Sequence, residues 1–181
     1  MAILYSFLFI VILVGACAIF YAYQYNKLQH SKTKIDHAEC LIDEALRNTY
    51  DILVKADKVI QSELNDDKTY FKGLDKVKNE NISNFDLDRK LTEYISLLEQ
   101  IKLDYPDLVT NKGFKEVLNE NKKASEKLQA AKSYYNKYTS ELNDLIRTFP
   151  SNIVARMHAI SIKPFFDGKN MEDEIVDDFK L

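Results

Sequence analysis

The sequence predicts an all-α protein: an N-terminal transmembrane helix continuous with an antiparallel four-helix bundle that has two long helices. Three observations carry this reading. Residues Ala2 to Tyr25 contain no charged side chain. The rest of the chain places apolar residues in alternating steps of three and four, the spacing of one helix face. Gly is 4 and Pro is 3 in 181 residues, too few for a fold built from many turns. Charged residues make up 29%, and Lys and Glu are good helix formers.

The first element is the apolar run itself, AILYSFLFIVILVGACAIFYAYQY. About 20 apolar residues cross the hydrocarbon core as a helix, and a helix satisfies its own backbone groups there. Tyr21, Tyr23 and Tyr25 gather at its C-terminal end, where phenol groups favour the membrane interface. Ser6 and Gln24 are the markedly polar side chains of the run, both near its ends. A cleaved signal peptide would need a basic n-region and a shorter apolar core. Val14-Gly15-Ala16-Cys17 loosely resembles a lipobox, which gives an alternative: a lipoprotein with its bundle outside the cytoplasmic membrane. The apolar residues after Cys17 and the missing n-region Lys speak against it. An uncleaved anchor over residues 1–25 is therefore expected. Lys27, Lys32 and Lys34 come after the run and nothing basic precedes it. The positive-inside rule then puts the N-terminus outside and the bundle in the cytoplasm, as a single-pass protein of the cytoplasmic (inner) membrane.

A soluble bundle is expected over 26–166. Its first helix carries the stripe Leu28, Ser31, Ile35, Ala38, Ile42, Ala45, Thr49, Ile52, Ala56 and Val59. No Gly or Pro interrupts the chain back to Gly15, so the membrane helix should run straight into this one and end near Leu64. Asn65-Asp66-Asp67 reads as a turn, with Asp67 able to cap the next helix. A short second segment has Tyr70, Phe71, Leu74 and Val77 on one face, and Asn79 to Asn84 breaks it. Asp86 is the expected cap of a third helix with the stripe Leu87, Leu91, Tyr94, Leu98, Ile101 and Tyr105. Pro106 ends that helix, because the residue before Pro avoids helical dihedrals. The fourth helix, expected over 111–149, carries Phe114, Val117, Asn121, Ala124, Leu128, Ala131, Tyr135, Tyr138, Leu142, Leu145 and Phe149. It would be roughly 58 Å long. Asn121 interrupts the apolar stripe; it either fixes register or marks a point where the bundle frays, and fraying is the favoured reading. Ser151 to Ile160 is expected as a short helix with Ser151 or Asn152 as cap. The acidic tail, 167–181, is expected to be disordered. Such stripes also suit an intermolecular coiled coil, but Ala, Tyr, Ser31 and Thr49 make a weaker seam than Ile and Leu.

Catalytic constellations are sparse. His30, His37 and His158 are the histidines, and none comes three positions after Glu, the spacing of di-iron bundles. His30 and His37 lie two turns apart, too far to share one metal. No C-x-x-C, H-E-x-x-H or P-loop occurs. Cys17 and Cys40 would be roughly 34 Å apart on one helix, beyond any disulfide. The net charge of -3 supports no nucleic-acid binding, which needs a basic face. No catalytic, cofactor-binding or metal-binding residue is assigned, and no cofactor.

Several short motifs, in order, resemble the LemA family. Tyr135-Asn136, Asn143, Phe149-Pro150-Ser151-Asn152 and Ala155 resemble its run at the end of the long helix. Tyr105-Pro106-Asp107-Leu108 with Phe114 resembles its link. Tyr25-Asn26-Lys27-Leu28, then Ile42-Asp43, Leu46 and Asp51, fall at its early positions. The chain departs from the family at Thr49 and Lys132, where Arg is common, at Val54, where Pro is common, and at Ser125, where Glu is common. The resemblance implies an anchored antiparallel bundle with no established enzymatic activity. The expected function is a non-enzymatic interaction or scaffold module. It would hold the bilayer through residues 2–25 and another membrane or membrane-associated protein through the bundle. The alternative is an envelope structural protein acting through self-association.

Overall fold

The computed structural model describes residues 1–65, 68–77 and 82–167. It is an all-α bundle with no strand among the described residues. The helices are α1 (Ala2–Leu64), α2 (Leu74–Val77), α3 (Asn84–Asp104), α4 (Lys112–Arg147) and α5 (Ser151–Met157), with a 3₁₀ turn at Pro106–Thr110. Two compact units are formed: Met1–His37 with the described part of Tyr134–Leu181, and Ala38–Ser133. The long helices α1 and α4 contribute residues to both.

Helix α1 is continuous, as the lack of Gly and Pro after Gly15 implies. It ends at Leu64, and Asn65 takes the left-handed conformation (φ 48) that commonly terminates a helix. Val54, where the family commonly has Pro, lies inside the unbroken helix. The apolar run is solvent-facing within the protein: Ile3, Phe9 and Val14 are all exposed. This separates it from the core helix of a soluble protein, whose apolar residues would be covered. It is long and apolar enough to cross a membrane. Packing begins at Gln24 and Leu28, the first buried side chains of α1.

In the first unit, α1 and α4 run antiparallel. His37 meets Tyr134 edge-on with ring centroids 6.3 Å apart, while Gln24 and Thr148 line one groove further along. Leu28, Ile35, Tyr135 and Leu142 are buried here. Helix α4 ends at Arg147, two residues short of the expected end. Phe149 is 74% exposed rather than core. Tyr138 is half-buried, and Thr139 beside it is buried instead. Ser151 does not cap α5 by accepting an N–H bond. Its buried hydroxyl shares its proton between the Leu145 and Thr148 carbonyls at 2.7 and 2.9 Å, and the Leu145 carbonyl is one that the end of α4 leaves open. Pro150 occupies the cap position of α5, with no side-chain bond.

In the second unit, α1 and α4 are again antiparallel: Val59 lies by Gly113, Lys55 is bonded to Glu116 and Glu120, and Asn48 lines a groove with Lys127. The stripe from Ala38 to Ala56 is buried; Val59 is half-buried and Ile60 takes its place in the core. The second segment is a single helical turn, with Phe71, Leu74 and Val77 buried. The Asp57 carboxylate of α1 accepts the Tyr70 and Phe71 N–H groups at 2.8 and 3.3 Å, fixing the chain's return. Gly73 has φ 88, a conformation side chains resist. An added Cβ would also meet the Tyr94 hydroxyl at 3.3 Å. Ser83, not Asp86, caps α3: its Oγ accepts from the Asp86 N–H and donates to the Asp86 carboxylate. Ser83 thus satisfies an open N–H of the first turn, and Asp86 holds the Ser83 hydroxyl in place. Tyr105 leaves helical dihedrals (φ -125, ψ 73) before Pro106, and its side chain is exposed. Asn111 starts α4 by accepting the Phe114 N–H at 3.0 Å. Asn121 is buried at 6% exposure inside α4. It is a polar member of a packed layer, so the bundle does not fray there. Asp67, residues 79–81 of the polar break and residues 168–181 of the acidic tail lie outside the described residues.

Candidate functional site

The motif-bearing end of α4 builds the most organised polar arrangement in the first unit. Asn136 and Asn143 are seven residues apart, so they share a helix face about 10.5 Å apart along the axis. The segment Lys163 to Phe166, without regular structure up to Phe165 and turning at Phe166, runs beside that face. The side-chain amides of α4 grip the backbone of that segment. Asn143 Nδ2 donates to the Lys163 carbonyl at 2.8 Å, and the Lys163 N–H donates to Asn143 Oδ1 at 3.0 Å. This reciprocal pair imitates one rung of a sheet ladder. The Phe166 N–H donates to Asn136 Oδ1 at 2.7 Å, and the Tyr135 hydroxyl donates to the Pro164 carbonyl at 3.2 Å. Phe166 is buried and meets the Tyr135 ring edge-on at 6.1 Å. Lys163 Nζ approaches the Asp36 carboxylate of α1 at 3.8 Å.

A second cluster lies where α1 leaves its apolar run. His158, just after α5, is hydrogen-bonded to the Tyr21 hydroxyl at 2.6 Å. Its ring lies 4.6 Å from that of Tyr25. Beside it is an open groove of about 520 Å³. Gln24, Lys27 and His30 line one wall, and Glu141, Asp144 and Thr148 line the other. His30 and His37 are both exposed.

Charged contacts organise the second unit. Lys132 Nζ donates to Asp88 Oδ2 of α3 at 2.7 Å, a pair with side chains about one-fifth exposed. Lys55 is held by two carboxylates, and its pKa is raised by hydrogen bonds to Glu120 and then Glu116. Asp43 raises the Arg47 pKa by a hydrogen bond and by its charge. No group of three or more His, Cys, Asp or Glu side chains is placed to hold a metal among the described residues. Cys17 and Cys40 are free thiols.

The model of the LemA family matches residues 39–177. The chain belongs to the LemA family. No curated protein and no solved structure matches it. The family match covers Tyr135, Asn136, Asn143 and Phe149 to Asn152, while Tyr25 to Leu28 lies before it. The structure gives these motif residues internal duties. Asn136, Asn143 and Tyr135 hold the chain's own segment at residues 163–166, Ser151 closes α4, and Ala155 of α5 is fully buried. Where the family commonly has Arg, Thr49 is buried and donates to the Ala45 carbonyl, and Lys132 pairs with Asp88. Ser125 is exposed.

Periodicity and motif order mark Asn136 and Asn143 but give no duty to residues 160–166. The signal for that duty is two Asn residues seven apart, two turns along one helix face. The pairing of His158 with Tyr21 leaves no local trace, since the partners are far apart in the chain.

Proposed function

We propose that this LemA family protein is a membrane-tethered interaction module without enzymatic activity of its own. Residues 2–25 cross the cytoplasmic membrane once, and the bundle stands on the cytoplasmic side, next to Lys27, Lys32 and Lys34. The observation that carries this reading is the continuity of α1 from its exposed apolar run into the buried stripe that begins at Leu28. With no break between them, the helix joins the anchor directly to the packed residues of the first unit, which are thereby held next to the bilayer. The polar motif residues favour the same reading. Asn136, Asn143 and Ser151 direct their hydrogen bonds to the chain's own backbone, which suits a scaffold more than a reaction centre.

The partner is a membrane or membrane-associated protein. A photo-crosslinking residue at Leu103, which is 79% exposed on α3, supplies the test in intact cells. Discrete adducts with another protein of the membrane fraction are expected. Adducts at twice the mass of the chain would favour self-association instead. The absence of adducts there and at exposed Leu41 and Leu97 would count against both.

A further inference from the structure

We propose that α5 and the residues flanking it form a second membrane contact, seated in the same leaflet in which the apolar run of α1 ends. This rests on the reading of residues 2–25 as a membrane span.

Depth is the first observation. His158 touches Tyr21 and Tyr25 at once. Tyr21 lies within the apolar run, about 6 Å along the axis before Tyr25. The interfacial zone on each side of the hydrocarbon core is of similar thickness, roughly 5–8 Å. A residue that reaches both tyrosines therefore sits in that zone, and α5 ends beside it.

The second observation is which face of α5 is covered. Val154 and Ala155 are buried within the first unit. Ile153 and Met157, one turn apart, point away and are 51% and 68% exposed. Phe149, a further four residues back, is more exposed still. These large apolar side chains are uncovered by protein, and Met157 adjoins the His158 that touches both tyrosines, which fits the boundary between headgroups and acyl chains. Charge agrees with this occupant. Arg156 on α5 and Lys27 just past the span are both exposed, placed to meet lipid phosphate. The contact would fix the tilt and rotation of α1 in the bilayer, because the span is then held at two points.

The test uses the full chain in nanodiscs of phosphatidylcholine and phosphatidylglycerol, with a fluorophore on single cysteines in a C17A/C40S background. Labels at I153C and M157C report the contact. A label at L13C reports the span itself, and one at K137C, on the exposed face of α4 in the same unit, reports water. Nitroxide lipids quenching near the headgroup should dim the Ile153 and Met157 positions at least about twofold more than Lys137, and raising the phosphatidylglycerol content should increase the difference. Quenching at Leu13 by deep nitroxides together with water-like behaviour at Ile153 and Met157 would overturn the inference and leave the span intact. Failure of quenching at Leu13 would remove the span and the inference with it. In the unsubstituted chain, aqueous peroxide should oxidise Met157 more slowly in nanodiscs than in detergent of short chain length; equal rates would also overturn the contact.

Discussion

Replacing Asn143 by Ala should release residues 160–166 from α4 while leaving both long helices formed. Asn143 is fully buried and makes the reciprocal pair with Lys163, at 2.8 and 3.0 Å. A hydrogen bond contributes about 0.5–1.5 kcal/mol net, and a buried group left without a partner costs about 1–3 kcal/mol. Lys163 is half-buried, so water can reach its freed backbone groups, which holds the cost toward the low end. Two bonds lost on that basis give about 2–4 kcal/mol. Asn136→Ala removes the bond from the Phe166 N–H and should cost about 1 kcal/mol. Amide hydrogen exchange of the detergent-solubilised chain reads both effects. Lys163 and Phe166 should lose protection in Asn143→Ala, and urea unfolding should begin earlier, with the α4 amides before Tyr135 little changed. Protection at Lys163 equal to that of the unsubstituted chain would refute the clamp.

Thr139 is fully buried and its Oγ1 has no hydrogen-bond partner among the described residues. Thr139→Val keeps the shape and removes the unsatisfied hydroxyl, so thermal unfolding should show a gain of about 1 kcal/mol. Breaking the Asp88–Lys132 pair from one side, with Asp88→Leu, should cost about 1–3 kcal/mol because Lys132 is left in a partly covered site. Adding Lys132→Met should recover most of the loss, and a double-mutant cycle in urea measures the coupling. Lys55 has its pKa raised above 10.5 by Glu120 and Glu116. Its contribution is therefore complete below about 10.5 and fades as pH rises through the folded value. The stability difference between the unsubstituted chain and Lys55→Met should stay constant from about pH 7 to 9 and shrink in more alkaline buffer, as denaturation curves at each pH would record.

Much of this fold is legible because helix periodicity is a physical constraint on sequence. The stripe from Leu28 to Ala56 had to face one way, and the lack of Gly and Pro after Gly15 left α1 no place to stop before Asn65. Pro106 stopped α3 for a steric reason that needs no tertiary information. Boundaries set by hydrogen bonds to distant or alternative partners were less legible. Ser83 and Asp86 both suit a cap, and only the backbone decides which one holds it. Ser151 suits a cap by type, but its hydroxyl turns toward α4, where the Leu145 carbonyl at the helix end takes a donor. Asn121 looked like a weak point, and the packing around it buried it instead. The clamp on residues 163–166 was least legible. A segment without periodicity carries no pattern of its own, and its partners are backbone groups that every sequence possesses.

The proposed function stands on a single uncleaved span that holds the bundle at the cytoplasmic face of the membrane. Protease accessibility of a C-terminal tag decides this, in intact cells and in cells whose outer boundary has been permeabilised. The tag should stay protected until the cytoplasmic membrane is broken, on a chain that still carries residues 1–25. Cleavage of the tag with that membrane intact would refute the topology, and would move the bundle outside, as the lipobox-like stretch at Cys17 would require.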